Sequence, residues 1–204
     1  SSTAIVGGVV AANHLLEGGL AQSELLNVAT EIEGHPDNVS PCLYGGFPVS
    51  TISDSGVTCV RAKPAPELKA VVVVPDFQLK TEDARNALPK TVSHLDAVYN
   101  VGRACVVTAA MLQGDLEALA NAMDDRLHQP YRTSLIPHYE KVTRAGLEAG
   151  ALGVALSGAG PTLFAFARTG ADQIGDAMAQ VWESEGVGAK AYALPVDLAG
   201  TVIE

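Results

Sequence analysis

Five short stretches of this chain concentrate groups that can do chemistry beside a glycine or a helix start. Ser1-Ser2 sets two hydroxyls ahead of an apolar segment. The free amides of a helix start attract an anion, and a serine hydroxyl can ligate magnesium; the same residues also make an ordinary N-cap. EGHPDN, residues 33–38, brings together an acid, a histidine, an aspartate and an asparagine. Glu33 or Asp37 can hold magnesium, which takes one or two carboxylates together with phosphate oxygens. His35 and Asn38 offer donors and acceptors to a small polar ligand, although an Asx turn uses the same letters. In TEDARNALP, residues 81–89, Thr81 and Arg85 are four apart and share a helical face, and Arg85 can fork onto a carboxylate or phosphate. HQPYR, residues 128–132, adds Arg132 as a second such donor, with Tyr131 as a packing residue. SGAGPT, residues 157–162, is a glycine turn in which Ser157, Gly158 and Gly160 let backbone amides approach a ligand. Neither GxxxxGK[ST] nor GxGxxG occurs, so a P-loop or dinucleotide fold has no support.

The elements that must position these groups follow from periodicity. Residues 1–17 read as a buried helix, with Ile5, Val9, Ala12 and Leu16 on one face and Gly18-Gly19 closing it. Residues 21–33 read as a second helix, with Ser23 as an early cap, Leu25, Leu26, Val28 and Ile32 as its apolar face, and Gly34 as its stop. A turn at HPDN follows. FPVSTI, GVTCVRA and LKAVVVVP then read as strands, the first two joined by a hairpin at Asp54-Ser55-Gly56. Thr81 is the expected cap of the next helix, and 92–112 and 115–127 are expected to be helical, with 128–132 as a polar turn. Pro137 starts a helix running to 148, then come strand, glycine turn and strand, a helix at 171–185 and a last strand at 188–194. This order is mixed α+β.

Composition narrows the function classes. The 204 residues carry a formal charge of −10, with 48% hydrophobic and 18% charged residues, a folded balance that disfavours nucleic acid and anionic lipid. Cys42, Cys59 and Cys105 lack ligand spacing and read as buried small hydrophobes in a reducing compartment. No apolar run suggests a membrane span and no basic leader is visible, so a cytoplasmic location is expected.

Taken together, these stretches resemble homoserine kinase, of the superfamily that also holds galactokinase, mevalonate kinase and phosphomevalonate kinase. Ser1-Ser2 resemble the end of that family's phosphate loop. Residues 33–38, Thr81 to Arg85 with Leu88-Pro89, Asp125 with 128–132, and 157–162 match its later motifs in order and spacing. The resemblance implies ATP-dependent phosphorylation of the hydroxyl of L-homoserine, with ATP and Mg2+ required and a homodimer expected. It implies nucleotide contacts from Ser1 and Ser2, and a metal site at Ser2 and Glu33, with Glu31 as the other acid. It further implies a substrate pocket from His35, Asp37, Asn38, Arg85, Arg132, Ser157, Gly158 and Gly160, and catalytic positions at Thr81, Asp37 and Arg85. Another small alcohol as substrate, or a non-catalytic small-molecule-binding role, are the rival readings. Because the chain opens directly on Ser1-Ser2, it is expected to lack the family's N-terminal part and to be active only with it restored. The expected fold is the C-terminal two-thirds of a two-domain kinase. Residues 1–62 would be the remainder of an ATP-binding domain, and 63–204 a ferredoxin-like C-terminal substrate domain.

Overall fold

The computed structural model describes residues 2–203. Its contacts divide into two compact units, one formed by residues up to Pro64 together with those from Val196 onward, the other by Ala65–Pro195.

The first unit packs three helices against a hairpin. Helices α1 (Ser2–Leu15), α2 (Gln22–Glu33) and α3 (Val39–Tyr44) precede strands β1 (Phe47–Ser53) and β2 (Gly56–Ala62), which pair antiparallel from Phe47 with Ala62 to Ser53 with Gly56. Its core is Val6, Leu25, Leu26, Ala29, Val39 and Leu43. Helix α1 is less buried than its periodicity suggests: Val6 is its one buried residue among those described, and Leu16, on the expected inward face, is 79% exposed. Helix α2 starts on Ala21, not on a Ser23 cap, because Glu24 reaches back to accept from the Ala21 amide (2.8 Å). It ends as expected on Gly34, whose φ of 90° suits a residue without a Cβ. Of its expected apolar face, Val28 and Ile32 are exposed, while Ala29 and Thr30 are buried.

Residues after Val196 return to the first unit through the double glycine. Gly46 donates to Asp197 O (2.7 Å), Thr201 Oγ1 to Cys42 O (2.9 Å), and Asp197 accepts from the amides of Ala199 and Gly200. A Cβ on Gly45 would lie 2.6 Å from the Gly200 nitrogen. Gly45 is therefore accounted for by backbone packing.

The second unit is built on a four-stranded antiparallel sheet in the order β4-β5-β3-β6, from β3 (Lys69–Pro75), β4 (Gly153–Leu156), β5 (Leu163–Ala167) and β6 (Ala189–Pro195). Helices α4 (Thr81–Asn86), α5 (His94–Gln113), α6 (Leu116–Ala122), α7 (Gln129–Arg132) and α8 (Tyr139–Glu148) lie between β3 and β4, and α9 (Ala171–Ser184) between β5 and β6. This β-α-β-β-α-β connectivity is ferredoxin-like. Alternation along β3 and β5 turns Val71, Val73, Leu163, Ala165 and Ala167 to one face, where they join Val142, Ile174, Met178 and Trp182 in the core. Trp182 is fully buried and donates from Nε1 to Pro137 O (2.8 Å). Trp182→Ala is expected to cost about 3–5 kcal/mol of unfolding free energy, read from urea denaturation. A loss under about 1 kcal/mol would show that this core collapses freely around the gap.

Four expectations shift here. Thr81 is the first helical residue of α4, and Lys80 is the cap position. The helix expected at 115–127 stops at Ala122, after Asp115 caps the Ala118 amide. The expected polar turn at 128–132 is largely one helical turn, α7. Cys42 and Cys59 are half-buried, and Cys105 is exposed on α5, contrary to its reading as a buried small side chain.

Helix α5 has unusual faces. Tyr99, Asn100 and Arg103 bond to the 121–126 segment, while Leu95, Val98, Val101 and Leu112 are 55–78% exposed. Contrary to expectation, one helix among those described is long and apolar enough to cross a membrane by length and composition, and it is α5. Its polar face is nevertheless engaged by the unit's own side chains, which suits a surface helix.

Candidate functional site

In the first unit, the polar groups gather where α1 begins and α2 ends. Ser2 Oγ donates to Glu33 Oε1 (2.7 Å), and both residues are half-buried. Glu33 is the last residue of α2, where the helix dipole disfavours a negative charge, so its position works against its own helix. The hydroxyl from the start of α1 offsets part of that cost. A carboxylate beside a hydroxyl is an all-oxygen donor set that suits magnesium, which retains waters and phosphate oxygens for its other positions. Among the described residues no cluster of three or more His, Cys, Asp and Glu occurs, so the set is as sparse as magnesium tolerates. Glu31 is exposed. Ser1 lies outside the described residues.

The HPDN turn is organised by Asp37. Its Oδ1 pairs with His35 Nδ1 and accepts from the amide of the next residue, Asn38 (3.0 Å), just ahead of α3. Pro36 is buried, whereas the Asp37 and Asn38 side chains face solvent and His35 is half-exposed. The segment is thus both the local turn and a set of accessible polar groups. Neither reading displaces the other.

In the second unit, Arg132 joins three segments. Its Nε donates to Ala84 O in α4 (2.8 Å), and Nη1 pairs with His128 Nε2 and reaches Gly158 O in the β4–β5 turn (3.4 Å). The residue is only 6% exposed. It forms no ion pair among the described residues, and its Nη2 has no hydrogen-bond partner among them. Burial and the nearby charge of Arg85 both lower the Arg132 pKa, and Asp125 opposes them. A buried guanidinium satisfied by neutral acceptors, with a second cation acting on it, retains an edge suited to an anion. Arg85 itself is exposed on the last turn of α4. The Thr81 side chain lies outside the described residues.

The 157–160 turn is closed by Ser157 N to Thr162 O (2.9 Å) and Gly160 N to Ser157 O (3.1 Å). Ser157 and Gly158 are exposed, and a side chain on Gly158 would meet only open space. Gly160 differs, since a Cβ there would press on Ile136 at 3.2 Å.

Sequence reasoning assigned no role to Asp125 or His128 beyond their place in a motif, and passed over Asn100. Partial burial pushes the Asp125 carboxyl up. Its bonds from the Gln129, Leu127 and His128 amides and from Asn100 outweigh this and hold it below the ordinary value. Burial and Arg132 lower His128 against a smaller pull from Asp125. An aspartate three positions before His128 carried a capping signal, but the Asn100 contact crosses 25 residues and leaves no local trace.

Comparison with known proteins bears on these groups. Residues 1–46 match the family model of the GHMP kinases N terminal domain, and residues 107–184 that of the GHMP kinases C terminal. The expectation that the N-terminal part is missing, and that only the C-terminal two-thirds of the fold is present, is thereby overturned: both domains are represented in the chain. A start on Ser1-Ser2 was a statement about a helix cap and did not measure domain content. The chain is similar to the homoserine kinase of Desulfitobacterium hafniense (strain DSM 10664 / DCB-2), at 42% identity over 100% of this chain and 69% of that protein. It is also similar to the homoserine kinase of Halothermothrix orenii, at 41% identity over 100% of this chain and 66% of that protein. The crystal structure of homoserine kinase from Cytophaga hutchinsonii ATCC 33406 superposes with a TM-score of 0.90 at 36% identity, covering 97% of this chain and 65% of that one. The chain spans about two thirds of the length of the relatives it matches.

Proposed function

This chain belongs to the homoserine kinase family, and on that premise we propose that it transfers the γ-phosphoryl group of ATP to the side-chain hydroxyl of L-homoserine, giving O-phospho-L-homoserine on the route to threonine. The observation that carries the choice of a carboxylate-bearing substrate is Arg132. A buried cation whose Nη2 has no partner among the described residues, accompanied by Arg85, fits the carboxylate that an amino-acid substrate shares with mevalonate and galactose lacks.

The remaining roles divide between the units. In the first, Ser2 and Glu33 would hold Mg2+, which when bound neutralises developing charge on the phosphates, and the α1 start would favour the same anions. His35 and Asn38 supply exposed polar groups for the amine and hydroxyl of homoserine, with Asp37 setting their geometry. In the second unit, Arg132 and Arg85 grip the carboxylate, and the 157–160 turn holds Arg132 through the Gly158 carbonyl. Phosphoryl transfer depends on position and charge neutralisation more than on covalent chemistry from the protein. No dedicated base is assigned: the proton of the attacking hydroxyl leaves to the phosphate oxygens. Association as a homodimer accords with the exposed apolar row of α5, and light scattering of the chain checks it.

The test offers L-homoserine, mevalonate and galactose in turn to the chain with Mg-ATP and follows ADP release. Selective release with L-homoserine, with phosphorus NMR placing the new ester on the hydroxyl, is the expected result. Release with mevalonate in preference would reassign the substrate, and Mg-independent binding of homoserine without ADP release would return the chain to a non-catalytic role.

A further inference from the structure

Arg132 sits on a helix too short to hold itself in place. Helix α7 has four residues, Gln129–Arg132, and a single turn is not stable alone. What fixes it is a chain of contacts that begins on α5. Asn100 Nδ2 donates to Asp125 Oδ1 (2.7 Å), while Asn100 Oδ1 accepts from the Arg126 amide (2.8 Å), so one amide side chain clamps two consecutive residues. Asp125 in turn accepts from three successive amides: Leu127 on Oδ1 (2.8 Å), His128 on Oδ2 (3.0 Å) and Gln129 on Oδ2. Gln129 Oε1 then accepts from the Leu156 amide (2.9 Å) and the Tyr139 hydroxyl (3.2 Å), docking the turn on β4. Four residues after His128, on the same helical face, Arg132 presents Nη1 to His128 Nε2.

We propose that Asp125 is a positioning residue that, through His128 and with Asn100 behind it, sets the orientation of the Arg132 guanidinium toward the substrate carboxylate. This rests on the reading of Arg132 given under Proposed function. Asp125 forms no hydrogen bond or ion pair with the guanidinium among the described residues. It fixes where the helical turn begins, and so where a side chain one turn later points. His128 accepts from Arg132 only as the neutral ring with its lone pair on Nε2. Protonation makes that nitrogen a donor facing a cation, and the grip loosens. The charged groups facing His128 are Arg132 on its own helix, Asp125 in the preceding loop and, from α5 across the groove, Arg103, which is bridged to Asp124 (3.8 Å). Arg132 and burial favour the neutral ring and outweigh Asp125. The acid loss of homoserine affinity therefore falls below the ordinary histidine range of about 6.5.

The test compares L-homoserine with 3-aminopropan-1-ol, the same amino alcohol without its carboxylate. Affinities of the full chain for both, and for Mg-ATP, are measured by titration calorimetry. In Asp125→Asn the preference for L-homoserine is expected to fall about ten- to a hundredfold, with binding of the amino alcohol and of Mg-ATP unchanged. A general loosening of the unit would instead weaken both alcohols by the same factor, and that outcome overturns the proposal. If Arg132→Met removes the preference and Asp125→Asn leaves it intact, the proposal also falls while the role of Arg132 stands. If Arg132→Met itself leaves the preference intact, the carboxylate reading of Arg132 fails first. His128→Gln keeps an acceptor for Arg132 but cannot take a proton, and it serves should the Asp125 variant not fold. It is expected to retain the preference at about pH 8 and to abolish the loss of homoserine affinity on acidification. The same acid loss in His128→Gln as in the parent chain would exclude the link through His128.

Discussion

Replacing Arg132 by methionine is expected to weaken L-homoserine binding by about thirty- to several thousandfold while changing the melting temperature little. The affinity figure follows from removing one partner of a buried, hydrogen-bonded charge pair, which costs about 2–5 kcal/mol. The stability figure follows from two opposed effects. Without ligand, Arg132 is a buried cation with no ion pair among the described residues, and replacing such a charge by an apolar chain of similar length is neutral to stabilising. Against this, Ala84 O, Gly158 O and His128 Nε2 each lose a donor, at about 1 kcal/mol apiece. The two nearly cancel, so binding and stability separate in one variant. Arg132→Lys keeps the charge but not the planar fork that reaches three acceptors, and should recover only part of the affinity. Calorimetric titration with L-homoserine and a thermal melt of the same sample decide the matter. A variant that binds homoserine normally, or that loses binding only by unfolding, would contradict the assignment.

What the sequence made legible and what it hid divide along a physical line. Elements whose cause is local were readable: the Gly34 stop, the Asp54-Ser55 hairpin turn between Ser53 and Gly56, and the β-branched run of β3. So was the βαββαβ order, because turn signals and apolar periodicity both act over a few residues. Elements whose cause is distant were not. The 128–132 segment reads as a turn because its helical conformation is supplied by Asp125 and, behind it, by Asn100 on another helix. Residues 39–44 received no assignment because Pro41 argues against a helix, yet Pro41 stands in the first turn of α3, where its missing N–H is not required. The early Ser23 cap failed because Glu24 satisfies the amide of Ala21 first. The candidate site shows the same division. Glu33, His35, Asp37 and Arg85 announce themselves by type and spacing. That Arg132 is buried, without an ion pair among the described residues, and tied to Ala84 and Gly158 is a tertiary fact with no sequence signal.

Glu33 carries the second large expected effect, and it falls on turnover and on the magnesium requirement. Glu33→Gln preserves the side-chain shape and an oxygen for the Ser2 hydroxyl, so the 2.7 Å contact has a replacement acceptor. What disappears is a negative charge at the C-terminal end of α2, the one end of a helix where such a charge is unfavourable. For α2 alone that removal is favourable, by about 0.3–1 kcal/mol. Turnover, by contrast, is expected to fall about a hundred- to a thousandfold, the scale seen when one fixed electrostatic contact to developing charge is removed. The loss should fall on kcat and on the magnesium requirement, with the affinity for L-homoserine unaltered, because the carboxylate grip is proposed for Arg132. ADP release measured across a magnesium titration separates these quantities. Full turnover at an unchanged magnesium requirement in Glu33→Gln would remove Glu33 from the metal site. A shift of the requirement to higher magnesium, with the affinity for L-homoserine intact, would identify Glu33 as an acid held at a helix end for the ion it binds.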